Sequence, residues 1–447
     1  MNTHTFIRRA SLPVSAEEAF AWHERPGALQ RLMPPWQIVE VLQQTGGLAD
    51  GARVELVTHI GPLSFIWLLE HHDCEPGRQF RDVALRSPFA YWDHLHRFEP
   101  EGPTKSVLED RIQYVLPGGA AGKWLAAAYV DRQLQRLFRY RHDTTAADLA
   151  LHARYALQPR MKIAVTGSSG LIGSALAPFL TSGGHQVQRL QRHKTTGNIW
   201  EENTLEAEAV VHLAGENISG RWTPAKKSRI RTSRVEGTQA LCQWLARQQR
   251  PPKVLVCASA IGYYGHRGEE LLDEQSAPGE GFLAETARAW ENAAAEAEQC
   301  GIRVVFLRLG IVLTPRGGAL ARMLPQFQCG AGGRIGNGRQ YWSWLSLDDV
   351  LGAIHHALIT DSLAGPVNAV APQPATNAEL TAALGSVLRR PTLLPMPAAA
   401  IKTLLGEMAE ELLLSSARVI PQKLLHSGYC FRHAELAAAL RHMLGRK

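Results

Sequence analysis

Nothing along this chain suits it to a lipid bilayer or an oxidising compartment. No apolar run in its 447 residues approaches the roughly 20 residues that a membrane-spanning helix needs. The opening stretch, MNTHTFIRRASLPVSAEEAF, has neither the apolar core nor the small-residue cleavage site of a secretory leader. Cysteine is scarce. The six present (Cys74, Cys242, Cys257, Cys300, Cys329 and Cys430) include no close pair. They therefore offer neither metal-ligand spacing nor a disulfide framework, and reduced thiols in the cytoplasm are expected. Acidic residues fall short of basic ones, 41 against 48, for a net charge of +7. The basic residues are scattered, with one local concentration at Lys226, Lys227, Arg229, Arg231 and Arg234. A solvated helix face or the lip of an anion site accounts for that cluster better than a nucleic-acid interface, so no nucleic-acid partner is expected.

A globular composition is present, with 45% hydrophobic and 20% charged residues. A chain of this length divides into two or three domains. The most informative stretch is Met161 to Gly173, MKIAVTGSSGLIG. A short buried strand, Lys162 to Val165, runs into Thr166-Gly167-Ser168-Ser169-Gly170-Leu171-Ile172-Gly173 and then a helix from Ser174. Small residues let the backbone approach a pyrophosphate, and the N–H groups at the helix start carry partial positive charge toward it. The spacing Gly-x-x-Gly-x-x-Gly lacks the lysine of a Walker loop. Thr166 through Gly173 are therefore the expected nucleotide-binding residues. A second strand, His185 to Leu190, ends at Gln191-Arg192, and no Asp or Glu occurs between the turn and Glu201. An NAD site usually places a carboxylate at that strand end to hold the ribose 2′-OH, whereas an arginine suits a 2′-phosphate. Arg192, with Arg189 nearby, points to NADP as the cofactor.

Three segments follow from the pattern: 1–158, 161–390 and 391–447. In the first, Ser15-Ala16-Glu17-Glu18 is a capping box that opens a helix. Alternating segments then run from Trp36 to Val41, Arg53 to Ile60, Leu63 to His71, Phe80 to Leu85, Tyr91 to Phe98 and Ser106 to Tyr114. Turn residues separate them, as in an antiparallel meander. An amphipathic helix carrying Trp124, Leu125, Ala128, Leu134, Leu137 and Phe138 closes the segment. This α+β order resembles the helix-grip fold of the START-like cyclase/dehydrase superfamily, which implies an apolar ligand between sheet and helix. Trp92, His94 and His96 fall on one strand face, and without a third ligand no metal site is assigned. Met161 sits where a separate nucleotide-binding protein would begin, which suggests two joined units. Residues 161 to about 390 alternate strand and helix, as in an α/β doubly wound parallel sheet of Rossmann type. From about 395 a small Leu/Ala-rich helical region remains.

From residue 161 onward the chain resembles the extended short-chain dehydrogenase/reductases, within them the atypical group of nucleoside-diphosphate-sugar epimerase family proteins. The matching residues, in order, are TGSSGLIG, Val211-His212-Leu213-Ala214-Gly215, Ser259-Ala260-Ile261-Gly262-Tyr263-Tyr264-Gly265, Arg308-Leu309-Gly310-Ile311-Val312-Leu313 and Trp344-Leu345-Ser346-Leu347-Asp348-Asp349. A tail like 395–441 is typical of that group. The resemblance implies that Ala214 and Gly215 let backbone pass the adenine-ribose side of the cofactor. Asp348 and Asp349 read as caps of the following helix.

The departure from the family matters as much. Its active members use a Tyr-x-x-x-Lys pair to exchange a proton while hydride moves. The corresponding stretch, Gly281 to Glu291, contains neither residue, Ala260 fills the usual Ser/Thr slot, and Arg234 stands where an Asn is expected. Ser259, Tyr263 and Tyr264 are the hydroxyls left near the right strand end and are the catalytic candidates. Arg221 with Trp222, and Arg339 with Tyr341 and Trp342, are of the types that contact an anionic or planar substrate. Three functions stay open: an NADP(H)-dependent oxidoreductase or epimerase-like enzyme on a small molecule, a non-catalytic NADP-responsive sensor or scaffold, and a lipid- or polyketide-like carrier.

Overall fold

Two sheets of opposite character organise the chain. The structure, a computed structural model, describes residues 3–117, 120–191 and 205–447, and of residues 60 and 120–125 the backbone alone. Two compact units result. One comprises Met1–Pro159, Pro178–Gly184 and Met443–Gly445; the other comprises Arg160–Ala177, His185–His442 and Arg446–Lys447.

The first unit holds β1 (His4–Leu12), α1 (Ala16–Glu24), α2 (Ala28–Arg31), β2 (Ile38–Gln44), β3 (Arg53–Ile60), β4 (Leu63–Glu75), β5 (Gln79–Arg86), β6 (Tyr91–Pro100), β7 (Ser106–Val115) and α3 (Ala120–Arg154). Its seven strands form one antiparallel sheet in the order β1-β7-β6-β5-β4-β3-β2. Ser15 opens α1 as expected, its hydroxyl accepting the Glu18 N–H at 3.3 Å. The meander from β2 to β7 is also as expected, but β1 was not. Its inward positions place Arg8 and Ala10 between Phe6 and Leu12, which dilutes the apolar alternation that marks a strand. β7 supplies what the local pattern lacks, pairing from His4 opposite Tyr114 to Leu12 opposite Ser106.

Phe6, Trp92, Ile112 and Tyr114 of the sheet bury against Leu134 and Phe138 of α3. Each such side chain contributes about 1.5–3 kcal/mol. The buried stripe of α3 runs through Ala127, Val130, Leu134 and Phe138, which leaves Ala128 exposed. The side chains of Trp124 and Leu125 lie outside the described residues.

The second unit begins with β8 (Lys162–Thr166), α4 (Leu171–Ser182), β9 (Gln186–Leu190), β10 (Ala209–His212), α5 (Pro224–Ala246), β11 (Val254–Ala260), β12 (Leu271–Leu272), α6 (Phe282–Asn292), α7 (Ala295–Gln299), β13 (Arg303–Leu309) and β14 (Ile311–Leu313). It continues through α8 (Gly318–Gln328), β15 (Tyr341–Trp342), β16 (Trp344–Ser346), α9 (Leu347–Ile359), β17 (Gly365–Ala369), β18 (Ala375–Thr376) and α10 (Asn377–Leu388). The last elements are α11 (Ala398–Leu405), β19 (Arg418–Val419), α12 (Gln422–His426) and α13 (Leu436–Leu444).

Six parallel strands align as β17-β13-β11-β10-β8-β9. β8, β10, β11 and β13 are nearly continuous buried runs, as expected of strands covered on both faces. Val210, Leu255 and Val304 pack with Leu241, Leu245 and Trp290 of α5 and α6. After β8 the chain turns to one side for β9, then returns across β8 to make β10. The carboxyl ends of β8 and β10 therefore flank the switch point where such sheets bind ligands.

Candidate functional site

At that switch point the glycine turn is built by close approach. Gly167 has a left-handed φ of +66°, and a Cβ there would lie 2.7–2.8 Å from the backbone of Leu213 and Ala214. Gly173 is as tightly held: a Cβ would meet the Gly167 carbonyl oxygen at 2.3 Å. The turn closes with Gly170 N–H on Gly167 O at 3.0 Å, and Ser174 N–H on Gly170 O continues it into α4 at 2.9 Å. Ser169 and Gly170 are exposed, with Ser168, Leu171 and Ile172 half-buried. Thr166 points inward instead. Its hydroxyl accepts the Leu213 and Ala214 N–H groups at 3.2 and 3.4 Å and lies 2.7 Å from His212 Nδ1. That hydroxyl ties β8 to β10. Ala214 is half-buried and Gly215 exposed, and a Cβ at Gly215 would lie 3.5 Å from the Arg234 guanidinium. Arg192 lies outside the described residues.

The second group of candidates meets at the end of β11. Ser259 Oγ donates to Glu291 Oε1 at 2.7 Å. Arg308 on β13 forks onto the same carboxylate through Nε and Nη2, both at 2.8 Å, and donates from Nη1 to the Tyr264 hydroxyl at 2.9 Å. Tyr264 is fully buried; its oxygen also lies 2.7 Å from Asn368 Oδ1 and 2.8 Å from the Asp273 carbonyl. Burial pushes its pKa up to about 12, past the opposing pull of Arg308 and Asn368. Burial alone would weaken the proton on Arg308, but the Glu291 carboxylate and the Tyr264 oxygen more than offset it, so its pKa is raised. The Tyr263 ring lies under the Arg308 guanidinium, 3.5 Å from centroid to Cζ. One arginine thus connects all three hydroxyl candidates. Ser259 and Tyr264 are committed within this network, while Tyr263 is half-buried and its hydroxyl makes no hydrogen bond among the described residues. Neither Glu291 nor Arg308 was singled out from the sequence, where Glu291 ends the segment that lacks the usual tyrosine and lysine.

The C-terminal region shapes the surroundings. Glu411 accepts the N–H groups of Phe282 and Leu283 at 2.9 and 2.8 Å and so holds the start of α6, where a carboxylate also suits the helix dipole. Leu405, Met408 and Leu412 pack with Trp222, Ile230 and Phe282. Trp222 and Trp342 are buried, with their indole N–H groups on Ile218 O and Leu413 O; neither offers an open stacking face. Arg221 and Arg339 are exposed, and the Tyr341 ring faces Arg418. Arg234 is a half-buried cation that donates to Glu216 O and Ile230 O, and its partial desolvation lowers its pKa to about 10.

The cap of α9 is Ser346, whose hydroxyl accepts the Asp349 N–H at 3.0 Å. Asp349, read above as a cap, instead accepts the N–H groups of Arg432 and His433 at 2.6 and 3.0 Å. A short polar side chain before the first turn outcompetes carboxylates inside it for the capping bond. Asp348, His433 and His442 come close enough to suggest a cation site. Arg432, 3.1 Å from His442 Nε2 and 3.7 Å from Asp348, already supplies the positive charge there.

A parallel sheet with a glycine turn at its switch point and a helical tail laid against α6 defines a Rossmann-like α/β protein. Residues 163–369 match the NAD dependent epimerase/dehydratase family, and residues 396–443 match a domain of unknown function, DUF1731. An epimerase family protein of Mycobacterium bovis is 41% identical over 290 residues, covering 62% of this chain and 96% of its own. The crystal structure of human epimerase family protein SDR39U1 with NADPH is similar at 34% identity and a TM-score of 0.60, over 64% of this chain and 99% of that one. A nucleoside-diphosphate sugar epimerase structure from Corynebacterium glutamicum covers 98% of this chain and 90% of its own, at 32% identity and a TM-score of 0.79. The chain belongs to the NAD-dependent epimerase/dehydratase family, and within it to the SDR39U1-like proteins that carry a C-terminal DUF1731 region. Neither family match extends into the first 160 residues.

Proposed function

We propose that this chain is an NADP(H)-dependent oxidoreductase acting on a small carbonyl or enone-like molecule, with Tyr263 as its proton donor. The observation that carries the reading is the Gly167–Gly173 turn. Its backbone sits at the switch point of a parallel sheet, where a pyrophosphate meets a helix N-terminus. Gly167, Ser168, Ser169, Gly170, Leu171, Ile172 and Gly173 would line the pyrophosphate, with Ala214 and Gly215 beside the adenosine. Thr166 would act by holding β8 to β10. The NADPH bound to the human relative supports NADP over NAD, and Arg192 is the residue that would meet its 2′-phosphate.

When bound, the nicotinamide supplies or accepts hydride. The chain's own part is to hold and move the proton. Tyr263 has a hydroxyl that makes no hydrogen bond among the described residues, and its ring is held against the Arg308 guanidinium, which fixes where that hydroxyl stands. Ser259 and Tyr264 position Arg308 and Glu291. The commitment of those two hydroxyls also favours a second reading, a non-catalytic sensor of NADP(H).

The segments read as 161–390 for the nucleotide domain, 391–447 for the region completing the substrate side, and 1–158 for a helix-grip domain of START-like type. The seven-stranded antiparallel sheet and the long α3 support this last assignment. It would take an apolar ligand.

The test is a titration of the purified chain with NADPH and NADH, followed by nicotinamide fluorescence, on wild type and Arg192→Ala. Tight NADPH binding that weakens at least tenfold in the variant, with NADH unaffected, supports the NADP site. A substrate screen by NADPH oxidation then follows, in which Tyr263→Phe should lose turnover and keep NADPH affinity. Binding of neither nucleotide overturns the reading. NADPH binding without oxidation of any substrate favours the sensor.

A further inference from the structure

The first unit contains a buried group of imidazoles and carboxylates that nucleotide chemistry does not use. The sheet register assembles it. His71 on β4 stands opposite Asp82 on β5, and Asp82 stands opposite His94 on β6. Two residues along β6, His96 stands opposite Asp110 on β7. Directly opposed residues share a face, so all five project to the side where α3 places His142. Asp110, His94, His96, His142 and His71 are all buried.

The hydrogen bonds orient the rings. Asp110 Oδ1 accepts from His94 Nε2 at 2.8 Å and lies 2.7 Å from His96 Nδ1, while its Oδ2 is bonded by His142 Nε2. Both rings on β6 thus turn one nitrogen to Asp110 and the other to Asp82. His96 Nε2 is 3.3 Å and His94 Nδ1 3.9 Å from Asp82 Oδ2. With its Nε2–H given to Asp110, His94 presents a lone pair at Nδ1 toward a carboxylate oxygen. A lone pair and a carboxylate oxygen facing each other in a buried site favour a cation between them. The other oxygen, Asp82 Oδ1, lies 2.5 Å from His71 Nδ1 without the alignment of a hydrogen bond.

We propose that the first unit binds one divalent first-row transition-metal ion of the zinc class through Asp82 Oδ2, His94 Nδ1 and His96 Nε2. These three donor atoms lie within 4.8 Å of one another. A tetrahedral ion with ligands at about 2.0–2.1 Å holds them roughly 3.4 Å apart, close to the 3.3 and 3.9 Å separations from Asp82 Oδ2. Two imidazoles and one carboxylate suit zinc and its neighbours better than calcium or magnesium, which prefer all-oxygen sites. Asp110 takes the outer role of fixing ring orientation and tautomer, and His71 lies beside the second oxygen of Asp82; such outer partners are the rule around ligating histidines and carboxylates. Three protein ligands leave room for water or an added ligand, the arrangement of reactive rather than purely structural zinc sites.

The experiment strips the full-length protein with a chelator and titrates it with Zn2+ against a chromophoric competitor, then with Co2+ followed by visible absorption. One equivalent is expected, with ligand-field bands of a nitrogen and oxygen site. Asp82→Asn and His94→Gln should each weaken Zn2+ at least 100-fold, while His142→Gln keeps the stoichiometry and weakens it about 10- to 100-fold. Circular dichroism and NADPH titration confirm that each variant is folded. Should both ligand variants fail to fold, the wild-type Co2+ spectrum decides alone. No ion taken up by the folded wild type overturns the proposal. So does a thiolate charge-transfer band, an equivalent that survives in folded Asp82→Asn and His94→Gln, or one lost in Asp348→Asn instead.

Discussion

Glu291→Gln should cost more stability than any other single-atom change in the parallel-sheet unit. The carboxylate receives Arg308 at 2.8 Å through two nitrogens and Ser259 at 2.7 Å. The side chains of Arg308 and Glu291 are 3% and 11% exposed, so water does not replace what is removed. Breaking one partner of a buried pair costs about 3–5 kcal/mol, because the other charge stays buried without compensation. Contacts from Arg308 to Tyr264 and Tyr263 persist, which places the expected loss near the lower end, about 3 kcal/mol. That is roughly a hundredfold in the unfolding constant. In urea, with a slope of about 2–3 kcal/mol/M, the midpoint should fall by about 1–1.5 M at unchanged slope. The double variant with Arg308→Met removes both charges and should lose much less than the sum of the two single changes. A loss under about 1 kcal/mol in Glu291→Gln, or simple additivity in the cycle, would refute the claim that this pair organises the β11 end.

Three further outcomes follow from the same geometry. Gly173→Ala puts a Cβ 2.3 Å from the Gly167 carbonyl, so the turn must open and NADPH affinity should fall at least tenfold by fluorescence titration, with far-ultraviolet circular dichroism preserved. Acid should weaken the second unit through His185, whose Nδ1 accepts the Met161 N–H and whose Nε2 meets His355 Nε2 at 3.0 Å. Burial, then Arg160, lowers its pKa to about 4. The neutral ring therefore supports the fold fully above about pH 6.5, and up to about 3 kcal/mol is lost as the pH falls from 6.5 to 4. Urea midpoints across that range, compared with His185→Gln, measure it. Asp349→Ala deletes the acceptor of the Arg432 and His433 N–H groups and of the Ser346 hydroxyl, and should cost about 2–4 kcal/mol. Limited proteolysis should then cut near residue 432 faster than in wild type.

The family, the parallel sheet and the glycine turn were legible along the chain because each is local. Continuous buried runs mark β8, β10, β11 and β13, and the turn needs small residues at fixed spacing wherever it occurs. The N-terminal meander could be read for the same reason, from period-two alternation between turn residues. β1 could not, since its inward Arg8 and Ala10 break that alternation and its stability comes from β7, about a hundred residues away. Asp348 and Asp349 misled because capping was judged from neighbours alone, whereas the buried Asp349 answers to Arg432 and His433 in the tail.

Tertiary structure alone decided which polar residues meet. Ser259, Glu291 and Arg308 come from β11, α6 and β13, and no spacing rule relates a strand end to a helix end and a neighbouring strand. His94 and His96 could be seen as a pair two residues apart, but Asp82 and Asp110 become their partners only through the register of β5, β6 and β7. A chain carries its local periodicities in its own order, so sequence determines element type and turn chemistry. The desolvated charges on which chemistry depends are set by long-range pairing, and only the folded chain brings them together.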